Sequence, residues 1–376
     1  MNFTIKKNVL LNYLLHIQRG LPVKTPLPIL YALKLEVFSD YIEITSSNSD
    51  IAIQTIIEDE SLTISKTGRV AIPGRYFIDI IRKIDANLVQ ISLREERLLV
   101  ITADRSEFKL KLMNIDDYPG IDFIDTNTPI TLSSDVLKEI IRETSFATAD
   151  SEKRPILTGV NFKYQDEVLY TVATDSFRLS QKHLKIDVNS DEFNLIIPGK
   201  SLEELTKILD HNEEPIDLYI SPNKILFKFN NILFQTRLLE GTYPDTLKII
   251  PQTFPSIIKF NKEELLATID RVSLLSPKDR ESNYNIIKLT LRSDQVVEIS
   301  STNTDVGDAK EEVLPTADPI GELITIAFSS KYLNEALKAF KSSEVTLNFG
   351  GEIRPFVIKG DNDPNLLHLI LPVRID

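Results

Sequence analysis

The chain has 376 residues, 42% of them hydrophobic and 26% charged, which is ordinary for a globular protein but too long for a single core and suited to about three domains. It contains no cysteine, which excludes disulfides and thiolate chemistry; no apolar run approaches the ~18 residues of a membrane span, and the N-terminus lacks a signal-peptide pattern, so a cytoplasmic protein without membrane association is expected. The formal net charge of −12 argues against a protein that grips nucleic acid through clustered lysine and arginine.

Taken in chain order, the elements say nearly the same thing three times. The first block opens with an alternating strand, Phe3-Thr4-Ile5-Lys6, followed by the helical spacing Val9, Leu10, Leu14 and Ile17. KLEVFS and YIEITSS then read as strands about a turn at Asp40, IPGRYFIDIIRKI as a helix after a Pro-Gly joint, and LVQISLR, RLLVITA and EFKLKLM as closing hairpin strands. The second block repeats this from Ile130-Thr131-Leu132-Ser133, with Val136, Leu137, Ile140 and Ile141 on a helix face. The third begins at Ile258-Lys259-Phe260-Asn261, with Leu265, Leu266, Ile269 and Val272. Ile5, Leu132 and Phe260 are thus equivalent, spaced 127 and 128 residues apart, and so are Asn48, Asp175 and Asn303. A third landmark, the strand-to-helix joint, aligns Arg75, Lys200 and Lys331. This period is far longer than a solenoid unit, so each repeat is domain-sized. Two segments rich in Pro, Asp and Thr, NIDDYPGIDFIDTNTP and GTYPDTLKIIPQTFP, read as linkers and place the domains at 1–125, 126–252 and 253–376, with boundaries near Asp125 and Gln252. The fold class is α+β, two helices against antiparallel strands per domain; a doubly wound sheet is excluded because strands come in runs.

Most candidate chemistry fails on spacing. Gly199-Lys200-Ser201 follows a strand and opens a helix, but a phosphate loop needs a glycine where Asn194 stands, and Pro73-Gly74-Arg75 shows the same joint as turn chemistry. The histidines at 16, 183, 211 and 368 have no ligand spacing, which leaves them surface or helix-end roles. Asp116-Asp117, Glu203-Glu204 and Glu263-Glu264 suit a solvated loop and early helix turns. No serine sits in a GxSxG elbow, so no catalytic residue, metal or cofactor is expected. The first helix region, KKNVLLNYLLHIQR, is one-signed, with Lys6, Lys7 and Arg19 and no acid. The terminal LLHLILPVRID reads as an edge strand or a groove wall.

The repeats, together with LPILYALKLE (27–36), KRPILTGVNF (153–162), VATDSFRLS (172–180), LEGTYPDTLKIIP (239–251) and LILPVRI (369–375), resemble the bacterial sliding clamp family, the beta subunit of the DNA polymerase III holoenzyme, over the whole chain. The resemblance implies a non-catalytic processivity factor: a head-to-tail homodimeric ring that encircles duplex DNA without reading its sequence. Topological retention would reconcile an acidic chain with DNA binding. It implies DNA contacts at Lys24 and Lys153, and more loosely at Arg75, Lys200 and Lys331. It implies an interface of Tyr76, Phe108 and Leu110 against Leu274 and Leu275 of the other copy.

The family's second site is an apolar groove between domains 2 and 3 that takes short peptides from the polymerase III alpha subunit or polymerase C, the clamp loader delta subunit and other proteins with a clamp-binding motif. By position its walls would include Leu157, Thr174, Phe177, Leu179, Pro244, Ile249, Ile353, Pro355, Leu369, Ile370, Leu371, Pro372 and Val373. Arg154, Arg178, Lys248, Ser329, Tyr332 and Arg374 would supply polar contacts, and Tyr284 part of the wall. The chain departs from the usual pattern at Phe177, where many members carry histidine, at Ser329, where some carry asparagine, and at the added Asp376. The competing readings are a monomeric peptide-binding scaffold without DNA encirclement and an enzyme built on the Gly-Lys-Ser turn.

Overall fold

The structure, a computed structural model, describes residues 1–376 apart from 96, 124–126, 152, 189, 211, 277–284 and 375–376. Six α-helices occur among the described residues: α1 (Lys7–Ile17), α2 (Gly74–Lys83), α3 (Ser134–Thr144), α4 (Gly199–Leu209), α5 (Lys262–Val272) and α6 (Ser330–Ala339). Each repeat contributes two. Their apolar residues fall at helical spacing on one buried stripe, for example Leu10, Leu14 and Ile17 in α1 and Leu265, Leu266, Ile269 and Val272 in α5. The third repeat starts its helices with side-chain caps: Asn261 accepts the Glu264 N–H at 3.0 Å, and Ser329 accepts that of Tyr332 at 3.2 Å.

In the first two repeats proline and glycine stand at the second joint, and the glycine is there for space. A Cβ on Gly74 would come within 2.7 Å of the Leu21 side chain, and one on Gly199 within 2.8 Å of Thr148. Neither glycine has a positive φ, so close packing, and not turn chemistry, selects it. Ser201, the hydroxyl of the Gly-Lys-Ser turn, is buried and accepts a 2.9 Å hydrogen bond from the Thr236 hydroxyl.

The chain packs as two compact units, residues 1–137 with 201–238, and residues 138–200 with 239–376. Among the described residues the first holds two antiparallel sheets. One runs Thr63–Lys66, Asn2–Lys6, Leu88–Arg94, Leu98–Ala103, Ser106–Lys111. The other runs Ile130–Leu132, Ile216–Ile220, Lys224–Phe229, Ile232–Arg237, Ile51–Ile57, Ile42–Ser47, Ala32–Val37, Gly68–Pro73. The described residues of the second unit also form two. Its larger sheet runs Phe193–Pro198, Gly159–Gln165, Val168–Thr174, Arg178–Lys185, Leu366–Ile370, Phe356–Gly360, Glu344–Phe349, Ser256–Asn261, Ile320–Gly321. Its smaller one runs Gly307–Val313, Val297–Asn303, Ile286–Leu291, Thr325–Ser329. The repeat is thus the unit of sequence but not of packing. The middle repeat pairs its strand Ile232–Arg237 with Ile51–Ile57 of the first, and its strand Arg178–Lys185 with Leu366–Ile370 of the third.

The repeat landmarks have physical causes. Ile5, Leu132 and Phe260 are all buried. Asn48, Asp175 and Asn303 each open a tight turn in which the side-chain oxygen accepts backbone N–H groups. The Asn48 Oδ1 takes those of Asp50 and Ile51 at 2.8 and 2.9 Å, and the Asp175 Oδ1 those of Phe177 and Arg178 at 2.9 and 3.0 Å. The Asn303 Oδ1 takes that of Asp305 at 3.1 Å. Asn and Asp suit this turn best among the side chains, which accounts for the recurrence of the position.

Candidate functional site

In the second unit a satellite apolar cluster gathers Leu157, Val172, Leu179, Ile196, Tyr243, Val357 and Leu369. Ile156, Leu239, Ile250, Phe254, Leu367 and Leu371 pack against it while remaining partly exposed. It exists because Leu179 and Leu369 sit opposite each other on the paired strands Arg178–Lys185 and Leu366–Ile370, on one face of the pleat. Around it stand large apolar side chains in solvent: Phe177 is 50% exposed, Leu247 66%, Ile249 46% and Ile353 73%. Pro244 and Lys248 are exposed, and Pro355, Leu371, Pro372 and Val373 half-buried. Apolar surface left in water by several chain segments at once marks a docking face.

Two of the expected wall and polar residues point elsewhere. Ile370 belongs to the large core, because alternation along a strand turns it away from Leu369. Ser329 is buried as the cap of α6. Tyr284 lies outside the described residues. Arg374 is exposed. The Arg154 guanidinium, also exposed, donates to the Ser176 hydroxyl at 3.4 Å, and the Lys248 ammonium pairs with Asp245 at 3.1 Å.

The turn from Thr174 to Leu179 forms one lip. Ser176 holds φ at +81°, and the Thr174 hydroxyl accepts the Ser176 N–H at 3.1 Å. The Thr174 N–H donates to the Tyr243 hydroxyl at 3.0 Å, and that hydroxyl donates to the Gly159 carbonyl at 3.4 Å. The Phe177 carbonyl accepts the Leu371 N–H at 2.9 Å, tying lip to C-terminal wall. Arg178 is buried: its Nε donates to Asp175 at 3.0 Å, its Nη atoms to Glu335 and the Phe146 carbonyl, and it lies 4.4 Å over the Tyr332 ring. Asp175 and Tyr243 carry much of this geometry without having been expected to. The signal for Tyr243 lay in the Tyr-Pro shared by both linkers, since Tyr118 is buried likewise and donates to the Thr45 carbonyl at 3.4 Å.

The inner side of the same strands is polar. Lys182 meets Glu139 at 2.7 Å and the fully buried Glu143 at 2.8 Å, and Lys341 also reaches Glu139. Burial pushes the Glu143 carboxyl up; burial also works against Lys182, yet hydrogen bonds to its two carboxylates hold its ammonium above the ordinary value. His368 is buried edge-on between Phe146 and Phe340, with ring centroids 5.3 and 4.7 Å away. Burial, assisted by Arg178, lowers its pKa to about 3. The expected surface or helix-end role does not hold for this histidine, because strand alternation turns it inward beside Ile370.

The remaining expected residues fall at strand edges and helix starts. Tyr76 and Leu274 are 71% and 81% exposed, Phe108 is exposed, and Leu110 and Leu275 are half-buried. Phe108 and Leu110 lie on Ser106–Lys111, the last strand of its sheet, while Gly307–Val313 is the end strand of another. Lys24, Arg75, Lys153, Lys200 and Lys331 are all exposed. Arg75 donates to the Pro22 carbonyl at 3.1 Å and lines a cavity of about 450 Å³ with Arg19, Asp79, Arg82 and Glu204. Among the described residues no group of His, Asp and Glu is arranged to hold a metal ion.

Three repeats of two helices against antiparallel sheets, with open strand edges on the first and third, define a DNA-clamp architecture. The family models for the N-terminal, central and C-terminal domains of the DNA polymerase III beta subunit match residues 1–122, 131–245 and 247–374. The chain belongs to the DNA polymerase III beta subunit family. It is 40% identical to the beta sliding clamp of Bacillus subtilis (strain 168) over 381 residues, covering all of both chains. It is also 40% identical over 379 residues to that of Staphylococcus aureus (strain Mu50), covering 100% of this chain and 99% of the other. The crystal structure of the DNA polymerase sliding clamp from Bacillus subtilis superposes with a TM-score of 0.93 at 38% identity, and that of the DNA polymerase III beta chain from Streptococcus pneumoniae with 0.94 at 36%, each over the full length of both chains. The chain is accordingly a DNA sliding clamp of the replication machinery and not a catalytic subunit.

Proposed function

We propose that two copies of the chain close head to tail into a ring of six pseudo-equivalent domains, bounded at 1–125, 126–252 and 253–376 in each copy. The ring encircles duplex DNA in the cytoplasm. The observation that carries this reading is a pairing that occurs twice within the chain and is left open a third time. Strand Ile232–Arg237 pairs with Ile51–Ile57, Thr236 facing Ile51, and Leu366–Ile370 pairs with Arg178–Lys185, Ile370 facing Arg178. The counterpart of the receiving strand in the third repeat is Gly307–Val313, and that of the donating strand in the first repeat is Ser106–Lys111. Among the described residues each is paired on one side only.

Carried over at the same register, Ser106–Lys111 of one copy sets Phe108 against Ala309 of the other, and Glu107 and Lys109 against Lys310 and Asp308. Apolar residues then meet on the inner face and opposite charges on the outer one, the combination that stabilises antiparallel pairs. Tyr76, Phe108, Leu110, Leu274 and Leu275 would leave water at this junction. An unpaired edge is otherwise a liability, and ring closure removes it. Lys24, Lys153, Arg75, Lys200 and Lys331 would make weak, salt-sensitive phosphate contacts, since the closed ring does the holding. The groove in the second unit would take short linear peptides of the polymerase III alpha subunit or polymerase C, the clamp loader delta subunit and other clamp-binding-motif proteins. Their Leu or Phe anchors would sit against Phe177, Ile249 and Leu371, above the buried floor of Leu179 and Leu369, with affinity near micromolar, about −8 kcal/mol.

The absence of native cysteine makes a clean test. Facing residues in an antiparallel pair lie about 4.5–5.5 Å apart at Cα, within disulfide range. Lys109→Cys with Asp308→Cys should therefore give a covalent dimer on oxidation. After loading on circular plasmid, that ring should stay through 1 M salt and leave once the plasmid is cut. The out-of-register pair Lys109→Cys with Glu312→Cys should not bridge. A monomer in sedimentation, or equal bridging by both pairs, would return the chain to a monomeric peptide-binding scaffold.

A further inference from the structure

We propose that Arg178 is a positioning residue that sets the groove lip from beneath and ties it to α6, and that it does not touch the bound peptide. This rests on the groove being the peptide site. Every nitrogen of its guanidinium already has an acceptor: Asp175 at 3.0 Å, Glu335, and the Phe146 carbonyl. Its side chain is 7% exposed and roofed by Tyr332 at 4.4 Å. Three of its five N–H donors are thus spent within the protein, and burial beneath that ring keeps the rest from a peptide lying on the groove surface.

What Arg178 holds is the lip. It anchors the Asp175 carboxylate, which accepts the N–H groups of Phe177 and Arg178 and so fixes the turn through Ser176. That turn lifts the Phe177 ring into solvent and offers its carbonyl to Leu371. The first repeat shows that the turn does not need the arginine in order to fold. There Ile51 stands in its place, Asn48 makes the same two hydrogen bonds, and the Asp50 carbonyl accepts the Arg237 N–H at 3.2 Å just as Phe177 accepts that of Leu371. At that junction the lip residue is Asp50, paired with Arg237 at 2.7 Å, and no apolar lip forms. The arginine is therefore specific to the turn that carries an apolar lip. It connects that lip to Glu335, on the helix that also presents Lys331.

The test uses the full-length dimer and a fluorescein-labelled synthetic peptide with Leu and Phe anchors, read by anisotropy and dissociation rate. Glu335→Gln lies away from the apolar cluster and should still weaken the peptide about tenfold, within the usual range for coupled sites, mainly through faster release. Arg178→Lys should do the same, and the double variant should be no worse than the weaker single, because both act through one contact. Lys338→Gln, exposed on the same helix, should leave affinity unchanged. Wild-type affinity for Glu335→Gln alongside a loss for Arg178→Lys, or losses that add, would overturn the proposal and make Arg178 a direct contact. Leu371→Ser separates the two layers: if it binds normally, the groove reading itself fails. Retained dimer and melting temperature identify the variants as folded.

Discussion

Acid should attack this clamp first at His368. The ring is buried between Phe146 and Phe340, neither nitrogen has a hydrogen-bond partner, and its pKa falls from 6.5 to about 3. The folded state therefore keeps the imidazole neutral where the unfolded chain would protonate it. Below pH 6.5 the unfolded state binds more protons, so stability is full above that value and declines as pH falls toward 3. At about 1.4 kcal/mol per pH unit, this one group withdraws about 3 kcal/mol by pH 4.5 and about 4 kcal/mol by pH 3, where the folded state begins to take up the proton itself. Against a whole-protein stability of about 5–15 kcal/mol that is a large fraction. Arg178 and Asp363 are the charged groups that act on the ring, and Lys182 acts on Asp363; all three are kept in the variant. The perturbation is His368→Leu, which keeps an apolar occupant and forfeits no hydrogen bond, so its cost at pH 7 should stay under about 1.5 kcal/mol. Urea unfolding by circular dichroism at pH 7 and 4.5, with hydrogen exchange of the peptides covering Arg178–Lys185 and Leu366–Ile370, reads the effect. The variant should lose about 3 kcal/mol less than wild type between the two pH values. Parallel losses would refute the reasoning and mean that water reaches the ring, or that it finds a partner when charged.

Two further outcomes follow from the geometry. Lys182→Met leaves the buried Glu143 carboxylate with only the exposed Arg142, at 3.0 Å, and should cost about 3 kcal/mol in urea unfolding, with much of it restored by adding Glu143→Gln. Phe108→Asp would bury an unpaired carboxylate against Ala309 of the other copy, and analytical ultracentrifugation at micromolar concentration should find monomer with an unchanged circular dichroism spectrum. A stable dimer would remove Phe108 from the interface.

Much of the site was written in the chain because its causes are local. The stripes on α1 and α5, the recurrence of Asn48, Asp175 and Asn303, and the buried Ile5, Leu132 and Phe260 depend on residues a few positions apart. Three copies of one pattern also carried the family resemblance, and each copy matches its own domain of the DNA polymerase III beta subunit family. The apolar segments around the groove were legible as motifs, but Ile370 and Ser329 were not separable from Leu369 and Tyr332 until strand facing and helix capping assigned them to the core and the cap.

The chain by itself determined the three repeats, the α+β class and the turns, since short-range sterics and hydrogen bonding decide those. Only the tertiary structure decided which strands cross between repeats, placing Thr236 opposite Ile51 and Leu369 opposite Leu179. Only there did Arg178 become a buried tie and His368 a buried base. Both outcomes turn on partners far away in sequence, Glu335 and Phe146, whose approach no local preference encodes.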